Sequence, residues 1–343
     1  MSNIISVTSG SINKLASEQL NEVLPGLSKK SYGFVIGNPG AGKGYFFLSL
    51  AYELATNIKL LGLSKQSTPI KVLYWPVEDG VNIVAKRIKK HINEIGDETA
   101  QLIESNFSLY NSLDPICSRR KETTFAHIID SNREKLIAAA LDYDLLIIDT
   151  IREASGSCHE VEDDLSIKMA LQEVARNADV AILISHHPTK DLMRKKEVLT
   201  TVSGSGLSVT QANSRYSIFI DVVESKKEKN TQISHLKHNN VDQEDVLLHK
   251  EVNWDSSSLM YIDNDMLKVF KSNTNSKQFN YYDEDKPELV YPIEVVEELI
   301  PKSIDLDDVL STDESVITQE KNSAVDQNTL DEYSRFLAQE KNK

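Results

Sequence analysis

The chain has 343 residues, 40% of them hydrophobic and 26% charged, so most of it can bury a core as one large domain with appendages or two small ones. Its 52 acidic residues outnumber 38 basic ones for a net charge of -14, which excludes nucleic-acid binding by bulk positive charge. Any such contact has to be local.

Apolar runs alternate with helix-period segments from about residue 32. Tyr32 to Ile36 (YGFVI) reads as a buried strand broken at Gly37, and Lys43 to Leu61 follows with helical spacing. Val72 to Val77 is the next strand, Val81 to Ile95 a basic amphipathic helix, Phe107 to Tyr110 a short strand and Thr123 to Leu141 a helix. Asp144 to Ile148 is the most apolar strand, Leu165 to Asn177 a helix and Ala181 to Ser185 a further strand. This alternation predicts an α/β fold, a mostly parallel twisted sheet flanked by helices. Beyond residue 215 the runs Tyr216 to Val223, Thr231 to Leu236, Val246 to Val252 and Leu259 to Ile262 predict an antiparallel extension, with a turn at Trp254 to Ser257. A polar stretch after Lys271 leads into an acidic tail: Asp283 to Lys343 holds 17 acidic and 6 basic residues, net -11, and the remainder of the chain is near neutral at -3.

Gly37 to Gly44 reads G-N-P-G-A-G-K-G between a strand and a helix. In that context it is a P-loop. Gly37, Asn38, Pro39, Gly40, Ala41, Gly42, Gly44 and Tyr45 would form the ATP-binding loop, its backbone N-H groups, which Pro39 alone lacks, curling around phosphate, and Lys43 would reach the β and γ phosphates of ATP. The residue after the lysine ordinarily carries a hydroxyl that ligates Mg2+; here it is Gly44. Asp149, ending LLIID, sits where a carboxylate orients Mg2+ through water. Glu78, in V-L-Y-W-P-V-E-D-G, is placed to polarise an attacking water, and the pair Glu78-Asp79 reads equally as an acidic helix N-cap. His186-His187 after AILIS could sense the γ-phosphate or be an ordinary half-exposed pair.

Taken in order, these motifs resemble the RecA-like ATPases, and within them the RepA-type hexameric plasmid replicative helicases, over roughly residues 20 to 240. The resemblance rests on L-N-E-V-L-P-G-L (Leu20 to Leu27), the P-loop, the Y-x-P-x-E-D box with Arg87 nine residues after Glu78, and D-T-x-R (Asp149 to Arg152). It continues through H-H-x-x-K (His186 to Lys190), G-x-S-V-x-x-x-N-x-R ending at Arg215, and K-x-N from Lys237 to Asn239. It implies an ATP-dependent DNA helicase with Lys43 on phosphate, Glu78 as base, Asp149 as Mg2+ anchor and His187 as γ-phosphate sensor. Arg87 would lie at the nucleotide, Arg215 would be a finger in a neighbouring subunit's site, and Lys237 would also reach the neighbour's nucleotide. The G-K-G ending also resembles adenylate kinases, but they follow it with threonine where this chain has Tyr45, and no NMP-binding arginine set is found.

Such a ring would act on single-stranded DNA as a homo-oligomer, expected to be a hexamer. Lys190, Arg194, Lys195 and Lys196, within Pro188 to Gly204, are the expected DNA-binding residues, a short solvated charged helix being the plain alternative. The expected domains are an N-terminal segment 1-31, a RecA-like core 32-268 and an acidic tail 269-343, in which Leu330, Tyr333 and Leu337 could dock a protein partner. Two cysteines, Cys117 and Cys158, neither in a CxxC pair, and no apolar run of ~20 residues point to a cytoplasmic protein without membrane association. A recombination or loading ATPase, or a P-loop switch without unwinding activity, shares the same core motifs.

Overall fold

The computed structural model describes residues 8, 21-95, 97-117, 126-188, 206-224, 229-238, 241, 243-248, 250-255 and 260-263. The chain divides into two compact units, Met1-Ser276 and Lys277-Lys343, and every described residue belongs to the first. The basic loop residues Lys190, Arg194, Lys195 and Lys196, Asn239, and the tail residues Leu330, Tyr333 and Leu337 lie outside the described residues.

A short antiparallel hairpin, β1 (Glu22-Leu24) and β2 (Leu27-Ser28), precedes the main sheet. The sheet is built from β3 (Tyr32-Gly37), β4 (Val72-Trp75), β5 (Phe107-Leu109), β6 (Leu145-Ile148), β7 (Ala181-His186), β8 (Tyr216-Glu224), β9 (Lys229-His238), β10 (Lys250-Asp255) and β11 (Met260-Asp263). Its helices are α1 (Lys43-Thr56), α2 (Val81-Ile95), α3 (Asp97-Asn106), α4 (Ala126-Ala140), α5 (Ile151-Ala154), α6 (Asp164-Asn177) and α7 (Ser208-Asn213). The strand order is β11-β10-β9-β8-β3-β7-β6-β4-β5. The six strands from β8 to β5 are parallel, and β9, β10 and β11 extend the sheet antiparallel.

Alternate residues of the parallel strands feed two cores, as a sheet covered on both faces requires. Val35, Tyr74, Ile147 and Leu183 face α1, where Phe46, Phe47, Leu50 and Leu54 pack. Phe34, Trp75, Ile148 and Ile184 face α6, against Ile167, Leu171 and Val174. Each such fully buried side chain contributes roughly 1.5–3 kcal/mol.

The predicted helix from Lys43 stops at Thr56 rather than Leu61, because Asn57 takes a left-handed conformation with φ 60° that ends the hydrogen-bond ladder. Pro76 stops β4 at Trp75, two residues before the predicted Val77. The antiparallel extension begins later than expected: β8 runs parallel to β3, since the chain crosses over between β7 and β8 before returning. β10 starts at Lys250 rather than Val246, and Trp254-Asp255 belongs to the strand rather than a turn. The hairpin and the helices α3, α5 and α7 carry no signal strong enough to have been read from periodicity.

The loop after α1 is held by a buried carboxylate. Glu53, fully buried, accepts backbone N-H bonds from Leu61, Gly62, Leu63 and Ser64. Burial pushes its pKa up, while the four donors pull toward the ionised form. Replacing Glu53 by Ala strands the buried donors of Leu61, Leu63 and Ser64 and is expected to cost about 3 kcal/mol. In thermal denaturation that lowers Tm by roughly 6–12 °C; an unchanged Tm would refute the role given to this carboxylate.

Candidate functional site

The loop from Gly37 to Gly42 joins the C-terminal end of β3 to the N-terminus of α1. Gly40 and Gly42 have φ of 76° and 80°, which glycine adopts without strain. Gly42 has a second reason: a Cβ there would collide with the Tyr261 hydroxyl, which donates to Ala41 O at 3.1 Å. β11 therefore braces the loop from behind. Gly40 instead has no atom within 4 Å of where its Cβ would be, so the loop is open there. The unpaired N-H groups of the first helical turn make this end of α1 attractive to an anion.

Lys43 is the first residue of α1 and only 7% exposed. Its Nζ donates to Gly37 O at 2.8 Å and Asn38 O at 3.3 Å, and lies 3.2 Å from His187 Nδ1. Burial lowers its pKa, against the attraction of Asp149 and Glu78. Burial also lowers that of His187, with the Lys43 ammonium adding to the effect. Nδ1 of a neutral imidazole accepts from the ammonium, which fixes the tautomer.

Because β7 lies between β3 and β6, the strand carrying Asp149 is not the immediate neighbour of the loop strand. Asp149 nonetheless reaches the start of α1. Its Oδ2 accepts from the Tyr74 hydroxyl at 2.9 Å and would lie 3.5 Å from a Cβ on Gly44. Burial raises the Asp149 pKa, opposed by hydroxyl hydrogen bonds including that of Tyr74. Glu78 is exposed at the end of β4 and tied to the same turn, its backbone N-H donating to Asp149 O at 3.0 Å. The residue before α2 is Gly80, and the Asp79 carboxylate is not a cap: it pairs with Arg87, Nη1 to Oδ2 at 2.6 Å. Arg87 also lies over the Tyr45 ring, 4.8 Å from its centroid.

Lys43, Gly44, Tyr45, Glu78, Arg87, Asp149 and His187 thus converge at one end of the parallel strands. Arg215 and Lys237 do not. β8 pairs with β3 from Gly33 opposite Tyr216 to Gly37 opposite Ile220, so Arg215 is level with Tyr32. Five residues of strand, about 17 Å, separate it from the loop. Lys237 pairs at the same end, opposite Ser217, and its Nζ donates to Ala212 O at 2.6 Å. Arg215 is exposed and follows α7, whose first amides, Val209 and Thr210, donate to the buried Asp164 carboxylate at 2.6 and 3.0 Å.

Sequence reasoning missed Asp164, Tyr261 and Tyr74. Tyr74 occupies the first position of the Y-x-P-x-E-D box, so its signal was present. Tyr261 lies 220 positions from Ala41, and nothing in its local pattern marks it.

The fit to a metal is poor. Gly44 offers no hydroxyl, the Arg87 guanidinium stands 3.3 Å from where its Cβ would be, and Asp149 is engaged by Tyr74.

A strand-loop-helix phosphate cradle with a buried lysine, on a parallel sheet carrying an acidic residue just past the end of the strand one beyond its neighbour, defines a P-loop nucleotide-binding protein. The chain belongs to the AAA domain family, whose match spans residues 2–193. Its fold is similar to that of a DnaB-like replicative helicase solved for its interactions with primase, at TM-score 0.53 and 11% identity over 74% of this chain and 66% of that one. It is also similar to the ATPase domain of G40P, at TM-score 0.50 and 12% identity over 74% and 95% of the two chains. The chain therefore spans just under two thirds of the length of the DnaB-like helicase chain. No curated protein matches it in sequence. Among the described residues no helix is long and apolar enough to cross a membrane.

The His187 geometry has a pH signature. The unfolded chain protonates this imidazole near pH 6.5 while the folded chain resists, so its contribution is present above that pH and is lost as pH falls toward the lowered folded value. His187→Gln should therefore narrow the drop in Tm between pH 7.5 and pH 5.5 relative to wild type. An unchanged drop would show that His187 is not held neutral.

Proposed function

We propose that the chain is an ATP-hydrolysing, RecA-like ring motor on single-stranded DNA, of the RepA-type plasmid replicative helicase class. The observation that carries this is the separation of Arg215 and Lys237 from the loop of their own chain. Two cations at the far end of the strands cannot reach a phosphate bound at Gly37 to Lys43, but head-to-tail assembly brings them to a neighbour's nucleotide.

Within one subunit the roles follow from position. Lys43 and the loop amides bind the β and γ phosphates of ATP. Glu78, exposed at the strand end, aligns and deprotonates the attacking water. His187, bonded to Lys43, registers loss of the γ-phosphate and passes it to the segment after β7. Arg215, held at the end of the helix that Asp164 caps, stabilises transition-state charge in the neighbouring site. Asp149 holds the Tyr74 hydroxyl and faces the start of α1, and no step here is routed through Mg2+. Lys190, Arg194, Lys195 and Lys196 remain the proposed DNA contacts, from the sequence alone.

Single-strand-stimulated ATPase and forked-duplex unwinding test the reading. Lys43→Ala and Arg215→Ala should each lower ATPase activity by about 10³-fold. Mixing the two inactive variants should recover measurable activity, because a subunit with an intact loop then meets an intact Arg215. Failure of the mixture to recover, with both variants folded and oligomeric, contradicts action between subunits. DNA-stimulated ATPase without unwinding would instead favour the loading or recombination class.

A further inference from the structure

Residue 44 departs from the usual loop sequence, and both it and the following Tyr45 concern Arg87. Gly44 removes the side chain that ordinarily carries a metal-binding hydroxyl. Into the space it leaves comes the Arg87 guanidinium, with Nη1 at 3.3 Å from the position of a Gly44 Cβ, beside Asp149 Oδ2 at 3.5 Å from the same point. Tyr45 supplies the platform on which the guanidinium lies at 4.8 Å, and its own ring is fixed edge-on against Trp254 at 4.8 Å. Asp79 holds one nitrogen at 2.6 Å. A planar cation stacked on an aromatic face and tied by one carboxylate is preorganised, and a guanidinium carries five N-H donors, more than one carboxylate oxygen can engage. Its side chain remains 21% exposed, at the start of the helix that receives phosphate.

We propose that Arg87 replaces the metal and hydroxyl pair of this site, binding the nucleoside triphosphate's β and γ phosphate oxygens directly, so that triphosphate binding is largely independent of Mg2+. The inference rests on the nucleotide reading of the β3–α1 loop. Its chemistry is charge-assisted hydrogen bonding from guanidinium to phosphate, which is shorter and stronger than a neutral contact and geometrically specific. A purely structural Arg87, joining α2 to the turn through Asp79, would leave phosphate affinity insensitive to its replacement.

The test is the affinity of a fluorescent N-methylanthraniloyl ATP, measured by anisotropy on the full chain in excess EDTA and in millimolar Mg2+. Wild type should bind with affinities within about threefold of each other under the two conditions, since the cation that neutralises the phosphates is built in. Arg87→Gln should weaken binding in EDTA by about 30-fold, and Arg87→Lys, which keeps charge but loses the planar fork, by less. The double variant Gly44→Ser/Arg87→Ala restores the hydroxyl and vacates the space, so its affinity should become Mg2+-dependent by about tenfold or more. Thermal melts of each variant establish that it is folded. Wild-type binding that collapses in EDTA overturns the inference while leaving the nucleotide site standing, as does an Arg87→Gln affinity equal to wild type. No binding by wild type under either condition overturns the site itself, and this inference with it.

Discussion

A buried ammonium group organises this molecule's functional end. Lys43 begins a helix that is apolar on nearly every side, and its side chain turns back to two loop carbonyls and an imidazole rather than out to water. A desolvated cation at the positive end of a helix dipole is costly unless an anion completes it. Everything around it answers that constraint: glycines that let the loop amides turn inward, Tyr261 bracing the loop from behind, and His187 kept neutral so that no second positive charge adds to the first.

The sheet then separates two kinds of cation. Parallel strands place all their C-terminal ends on one edge, so Lys43, Glu78, Asp149 and His187 meet there although they come from four segments of sequence. Arg215 precedes β8 rather than following it, and Lys237 lies near the end of the antiparallel β9, so both fall on the opposite edge. One topology thus places the loop and its converging side chains at one end of the strands and a pair of cations at the other, the separation on which the proposed action between subunits rests.

The parallel core was readable because its strands are continuous apolar runs whose alternate residues face two cores, leaving little ambiguity of period. Residues at strand ends, Glu78, Asp149 and His187, were readable for the same reason, since the strand fixes where the next side chain goes. What escaped was long-range or irregular. Tyr261 meets the loop across 220 positions, Asp164 caps a six-residue helix too short to show periodicity, and the parallel pairing of β8 with β3 depends on a crossover after β7 whose direction no local pattern records. The exchange of an acidic cap for the Asp79–Arg87 pair was hidden because it depends on Gly44 leaving room for a guanidinium, a fact about empty space rather than about any residue type.

The central claim is that the β3–α1 loop clamps a polyphosphate through Lys43. Calorimetric titration of ATP and of AMP into wild type and Lys43→Ala measures this most directly. The account predicts that wild type binds ATP and not AMP, and that Lys43→Ala weakens ATP binding by about two orders of magnitude. Equal affinity for ATP and AMP, or ATP binding unchanged in folded Lys43→Ala, would contradict it.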